Sequence, residues 1–117
     1  MQLINISKTA LLSSIDDFAF FNCYRLKNFN FPKKIKKIND FSFAFCINLS
    51  NDIFLENIEY LGNYSFIFCS KLEKISITSE SFIIGKNVLN AKTVKTIKIN
   101  KKMNNILLSN GDFLYDI

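Results

Sequence analysis

Three consecutive blocks of the sequence repeat one pattern: IDDFAFFNCYRLKNFNFPKKIKK (15–37), INDFSFAFCINLSNDIFLENIEY (38–60) and LGNYSFIFCSKLEKISITSESFI (61–83). Each block is 23 residues long. The positions that share a register are Ile15, Ile38 and Leu61; Phe20, Phe43 and Phe66; Cys23, Cys46 and Cys69; and Leu26, Leu49 and Leu72. Self-similarity at a fixed period of this size predicts a solenoid, in which each repeat forms one turn.

The chain on either side of the blocks is a weaker version of the same pattern. Residues 1–14 are interpreted as a partial repeat that caps the N-terminal end, residues 84–105 as a degenerate repeat, and residues 106–117 as a C-terminal cap. In the degenerate repeat, the apolar positions return at a spacing of 22 instead of 23, at Val94, Ile97 and Ile99. The terminal residues Phe113, Leu114 and Tyr115 are expected to fold back over the last turn. With few Pro or Gly residues to mark a linker, the whole chain is predicted to form one domain, 1–117.

Each repeat is predicted to contain a short extended segment, a compact turn and a strand. The spacing of Phe41, Phe43 and Phe45 fits either a strand or a helix, and we favour one or two turns of α- or 3₁₀-helix capped by Asp17 or Asn39. The motif Leu-x-x-Phe-x-Phe at residues 26–31 predicts a strand, which ends at a proline. The predicted fold is a β-rich α/β solenoid with about four turns, parallel strands and short helical turns.

Composition bounds the function only loosely. The 117 residues are 49% hydrophobic, carry a formal charge of +5 and include no histidine. No basic segment precedes an apolar one at the N-terminus, and no apolar stretch approaches the roughly 18 residues of a membrane span. The expected location is therefore the cytoplasm, unless the chain is part of a longer exported protein.

The cysteine and phenylalanine columns are predicted to be structural. Neighbouring turns of a solenoid lie about 4.8 Å apart, so the three cysteines should form a buried column of free thiols. Their separation of 23 residues in the sequence suits no zinc site. Cβ atoms about 4.8 Å apart are also too distant for a disulfide. The phenylalanine columns are all assigned to the core; they are Phe18 and Phe41; Phe20, Phe43 and Phe66; and Phe45 and Phe68.

Nothing in the sequence indicates catalysis, a cofactor or a metal site. The acidic residues are scattered, and no glycine-rich phosphate loop or nucleophile–base pair is present. The lysines at 33–37 and 101–102 form the strongest charge cluster and are interpreted as solvated turns, with phosphate binding as the alternative. Glu56 and Glu59 in the next turn interrupt a continuous basic stripe.

The outward face of the strands is the predicted binding surface. If Leu26, Phe29 and Phe31 point inward, the outward positions of the four turns are Asn28 and Asn30, Asn51 and Ile53, Lys74 and Ser76, and Thr96 and Lys98. Ile53 would then be an exposed apolar anchor. A register slip at Asp52 would instead turn Ile53 inward and Asp52 outward, and the sequence leaves both alternatives open.

The repeated motif resembles the BspA-like leucine-rich repeats, also called the Treponema pallidum type. The match is carried by Ala19-Phe20, Cys23, Leu26, Phe29, Phe31-Pro32, Ile35 and Ile38, and it covers about residues 15–106. The second repeat departs from the motif at Asp52 and Leu55. The resemblance implies a curved horseshoe and a role in adhesion or protein binding.

These observations lead to three functional hypotheses. The first is a non-catalytic module that binds a protein partner of unknown identity through the strand face. The second is a structural unit that associates with itself through the open ends of the solenoid. The third is nucleic-acid binding through the lysine-rich turns, and the modest net charge makes it the weakest of the three.

Overall fold

A computed structural model describes residues 13–92, 94–103 and 112–115. The predicted solenoid is confirmed: the described strands are short, pair only in parallel, and stack about four turns. In chain order they are β1 (Ser14–Ile15), β2 (Lys37–Ile38), β3 (Ile53–Leu55), β4 (Tyr60–Leu61), β5 (Lys74–Ile77), β6 (Ile83–Ile84), β7 (Leu89–Asn90), β8 (Thr96–Ile99) and β9 (Leu114–Tyr115). Residues 1–12 and 104–111, which hold most of the predicted N-terminal cap and part of the C-terminal one, lie outside the described residues.

The first sheet forms where each repeat begins. Its strand order is β1-β2-β4-β6, and Ile15, Ile38, Leu61 and Ile84 pair in that register. The first three of these side chains are buried. Strands of two residues suffice because the inner ones, β2 and β4, each pair with the turn before and the turn after along both edges.

The second sheet, β3-β5-β8, spans the later turns. Ile75 pairs with Ile97 and Ile77 pairs with Ile99, which confirms the predicted spacing of 22 in the degenerate repeat. Buried and outward positions alternate along β3, as they do in a strand with one face on the core.

A third pair of strands lies at the C-terminal end. Strand β9 runs parallel to β7, with Leu114 beside Leu89. The Val88 N–H donates to the Phe113 carbonyl over 2.7 Å, and the Phe113 side chain is buried. The chain thus returns over its last turn, as expected for residues 113–115.

The compact turns are not helical, so the predicted α- or 3₁₀-helix is wrong. In the first repeat the N–H groups of Ala19, Phe21 and Cys23 bond to carbonyls three residues earlier, whereas those of Phe18 and Phe20 bond to the next turn of the solenoid. Because every second N–H leaves its own turn, an α-helical ladder cannot form. Within the described residues only 101–103 are helical.

The predicted helix caps, Asp17 and Asn39, instead connect turns of the solenoid, and the Asn39 Nδ2 donates to the Ile15 carbonyl over 2.8 Å. The Asp17 Oδ1 accepts from the Asp40 N–H over 2.9 Å, and the Asp40 Oδ1 accepts from the Asn63 N–H over 2.9 Å. The side chain in the register of Asp17 and Asp40 therefore bonds each turn to the next one. A Cβ at Gly62 would lie 2.6 Å from the Asp40 amide nitrogen and from its Oδ1, so this contact requires glycine in the third repeat.

The core contains one aromatic column, and the prediction of three is wrong. Phe20, Phe43 and Phe66 are buried and stack with ring centroids 5.0 and 5.2 Å apart. Phe18 and Phe45 are exposed. The reason lies in the backbone: Phe18 and Phe45 have left-handed φ angles of 58° and 62°, which turn their side chains outward.

Candidate functional site: the strand face

The structure places six of the eight predicted binding residues at the surface. Asn28, Asn30 and Lys98 are exposed, and Asn51, Lys74 and Thr96 are partly exposed. The other two are corrections, because Ile53 is 0% exposed and Ser76 is 5% exposed. The strand register places the Ser76 side chain on the outward face, but neighbouring residues cover it there.

The slipped register at Asp52 is the one observed. Ile53 pairs with the buried Ile75, while Asp52 is exposed. The physical cause is an extra residue: four positions separate Leu49 from Ile53, whereas three separate Leu26 from Phe29. An added residue in one strand moves the following side chains to the other face.

The apolar residue that faces outward is Phe54. It pairs with Ser76, which in turn pairs with Lys98, and its side chain is 59% exposed. Sequence analysis missed this residue because it carried the register of the first repeat into the second. The alternation of Ile53 and Leu55, both buried, is the signal that identifies it.

The side chain of Asn51 compensates for the extra residue. Its Oδ1 accepts from the Phe29 N–H and its Nδ2 donates to the Phe29 carbonyl, both over 3.1 Å. The amide thus takes the place of a strand backbone beside the first repeat. A buried backbone group left without such a partner would be destabilising.

A small open cavity lies beside this junction. Its volume is about 150 Å³, and its lining residues are Phe29, Asn30, Phe31, Asn51, Asp52 and Phe54. Apolar rings, amides and one carboxylate therefore meet at one place on the strand face. We call this surface, with Lys74, Thr96 and Lys98, the strand ribbon.

The lysine-rich turns are dispersed on the surface. Lys33 and Lys34 are exposed, and the Lys36 Nζ lies 3.9 Å from the Glu59 carboxylate. A second ion pair, Lys95 with Glu73 at 3.1 Å, borders an open cavity of about 520 Å³. Both pairs are exposed and therefore contribute little to stability.

The three cysteines are buried and form no disulfide, as predicted. The Sγ atoms of Cys46 and Cys69 each donate to a backbone carbonyl of the preceding turn over 3.0 Å, those of Phe20 and Phe43 respectively. Burial raises the pKa of the Cys46 thiol to about 12 and also raises the pKa of Cys69. These thiols stay protonated at neutral pH and are therefore poor nucleophiles.

The described part of the chain contains neither a metal-binding cluster nor a membrane-spanning helix. No group of three His, Cys, Asp or Glu side chains in that part of the chain is placed to hold a metal ion. No helix among the described residues has the length and apolar character required to cross a membrane.

Comparison with known proteins gives one match. A family model described as BspA type leucine-rich repeat region matches residues 1–111 in 6 copies. No curated protein and no solved structure matches the chain.

Proposed function

Since the chain belongs to the BspA-type leucine-rich-repeat family, we propose that it is a non-catalytic module that binds a protein partner through the strand ribbon. Repeat proteins of this family are often involved in protein binding or adhesion, and they are generally non-catalytic. An adhesive or scaffolding role belongs to the same proposal.

The observation that carries the proposal is Phe54. A phenylalanine that is 59% exposed on an otherwise polar strand face has no role in the core. It lies beside the cavity that also contacts Phe29 and Phe31. Binding energy at protein interfaces concentrates in a few aromatic and arginine anchors in such settings, so Phe54 is the expected centre of the interface.

The surrounding residues suit a polar rim. Asn28 and Asn30 offer amide donors and acceptors, and Asp52 and Lys98 are exposed charges of opposite sign. Such groups add specificity and steer association more than they add affinity. The partner is therefore expected to present an apolar side chain flanked by polar or mixed-charge residues.

The test is site-specific photo-crosslinking in source-cell lysate treated with nuclease. A photoreactive phenylalanine analogue would replace Phe54 in one sample and Phe18, an exposed ring outside the strand ribbon, in a matched control. We expect one protein to crosslink at position 54 and not at 18. The affinity of the chain for that protein, measured with purified components, should fall at least about tenfold with Phe54→Ala, as expected for the loss of a moderate anchor.

Two outcomes would contradict the proposal. One is a crosslinking pattern that is the same at both positions. The other is binding whose affinity falls steeply with salt, since that dependence is typical of phosphate contacts. In that case Lys33→Glu with Lys34→Glu would abolish binding, and Phe54→Ala would leave it unchanged.

A further inference from the structure

Six aromatic side chains form a second surface, on the compact turns. This aromatic patch consists of Phe18, Phe21, Phe41, Phe45, Tyr64 and Phe68. Phe18, Phe41 and Tyr64 stack along the solenoid with centroids 4.8 Å apart at each step. Phe21 packs edge-on against Phe18 and Phe45 and so joins two columns into one surface.

The backbone under the aromatic patch is strained. Five of the six rings are on residues with φ between 57° and 62°; they are Phe18, Phe41, Phe45, Tyr64 and Phe68. The left-handed region costs an L-residue with a bulky side chain on the order of 1 kcal/mol. Asn22 and Asn87 occupy the same two registers with φ of 56° and 49°, and asparagine adopts this region more readily. Phenylalanine is therefore present where a better-suited residue is available, which indicates that the exposed rings have a use.

The area of the aromatic patch is that of the largest apolar patches on monomeric proteins, which are often functional. Phe18, Phe21 and Phe45 are 54%, 41% and 37% exposed. At about 200 Å² for a large side chain, these three leave roughly 250 Å² accessible. The partly exposed rings, with the exposed Tyr24 and Ile47 that follow in their turns, raise the total to roughly 500 Å². Two such surfaces would bury roughly 1,000 Å² together, the lower bound for a specific interface.

The charges that flank the aromatic patch along the first turn are opposite. Asp16 and Asp17 precede it in the first turn, and Arg25 follows it, with the guanidinium carbon 5.7 Å from the centroid of the Tyr24 ring. A two-fold axis parallel to the solenoid axis would place equivalent turns of the two copies against each other. It would also reverse the direction in which the chain crosses the aromatic patch in the second copy. The acidic side of one copy would then face the basic side of the other.

We propose that the aromatic patch binds a second copy of this chain in a two-fold symmetric, side-by-side dimer, centred on Phe18 and Phe21. The rings of one copy pack against those of the other, and Asp16 pairs with Arg25 across the interface. Such an interface is closed, since the same surface is used by both copies. It leaves the strand ribbon free, and it would make the proposed binding module bivalent.

Sedimentation velocity of the full chain from about 5 to about 200 µM tests the dimer, because association follows mass action. We expect the mass to rise from one copy to two, with a dissociation constant in the micromolar range for an interface of this size. The variant Phe18→Asn/Phe45→Asn should weaken the dimer at least about tenfold. Since asparagine suits both backbone positions, circular dichroism should show an intact fold.

A matched control and a charge swap sharpen the test. Phe54→Asn removes a ring of similar exposure outside the aromatic patch and should leave the dimer unchanged. Arg25→Glu should weaken the dimer several-fold, and the swapped variant Asp16→Arg/Arg25→Glu should restore it, as expected for a specific pair.

The proposal is overturned if the chain remains monomeric throughout that concentration range. It is also overturned if oligomers grow beyond two copies, or if Phe54→Asn weakens association as much as Phe18→Asn/Phe45→Asn. Failure here would leave the strand ribbon untouched, since crosslinking at position 54 is independent of the dimer.

Discussion

Two sets of aromatic columns lie within a few residues of each other and on opposite sides of the backbone. Phe20, Phe43 and Phe66 form the inner column, which is buried. Phe18, Phe41 and Tyr64, with Phe45 and Phe68, form outer columns at the surface. The inner rings have ordinary φ angles and the outer ones are left-handed. The same residue type thus stabilises the core in one place and is available for recognition in the other, and backbone conformation decides which.

The comparison is sharpest at Phe43 and Phe41, two residues apart in one turn. Phe43 is fully buried between Phe20 and Phe66, so Phe43→Ala should lower the free energy of unfolding by about 3–5 kcal/mol. Phe41 is partly exposed, and Phe41→Ala should cost about 2 kcal/mol, because it removes contacts with three neighbouring rings. Urea denaturation of both variants checks this. Equal losses would show that both columns belong to the core.

Thiol reactivity separates the inner side of the turns from the outer side. Cys46 lies inside with a pKa of about 12 in place of 9.0, so its thiolate fraction at pH 8 should be roughly a thousandfold lower than that of an ordinary cysteine. We expect no labelling of the native chain by a thiol-specific dye at pH 8, and three thiols per chain in denaturant. The variant Phe45→Cys, on the outer side, is the control and should label at once. Rapid native labelling of Cys46 would contradict the buried column.

The buried serines are a test of how apolar the inner side is. Ser42 and Ser65 are fully buried, and their hydroxyl groups have no hydrogen-bond partner. An unsatisfied buried hydroxyl is destabilising, so Ser65→Ala should raise the free energy of unfolding by about 1 kcal/mol. Ser70→Ala, at an exposed position, should change it by less than about 0.5 kcal/mol. A destabilised Ser65→Ala variant would indicate that the hydroxyl is bonded in solution.

The sequence predicted the features that depend on apolar repetition. The register of Ile15, Ile38 and Leu61, the cysteine column and the spacing of 22 at Ile97 all follow from side chains that must reach one core. It did not predict the left-handed residues, because both alternatives at Phe41, Phe43 and Phe45, a strand and the favoured helix, assume that the backbone conformation is uniform. Phe54 was missed for a related reason. One inserted residue reverses inside and outside, and only the partner strand determines which register is formed.

The smallest expected effect is at Phe45, where two opposing contributions meet. Phe45→Asn removes ring contacts with Phe21 and Phe68, each worth about 0.5–1 kcal/mol. It also places asparagine at a φ of 62°, relieving strain on the order of 1 kcal/mol. The free energy of unfolding should therefore stay within about 0.5 kcal/mol of the wild type, measured by urea denaturation of dilute monomer. Phe43→Asn, two residues earlier and inside, should unfold the chain. A large loss at Phe45 would mean that the outer rings hold the turns together, and the argument that strain there marks a recognition surface would fail.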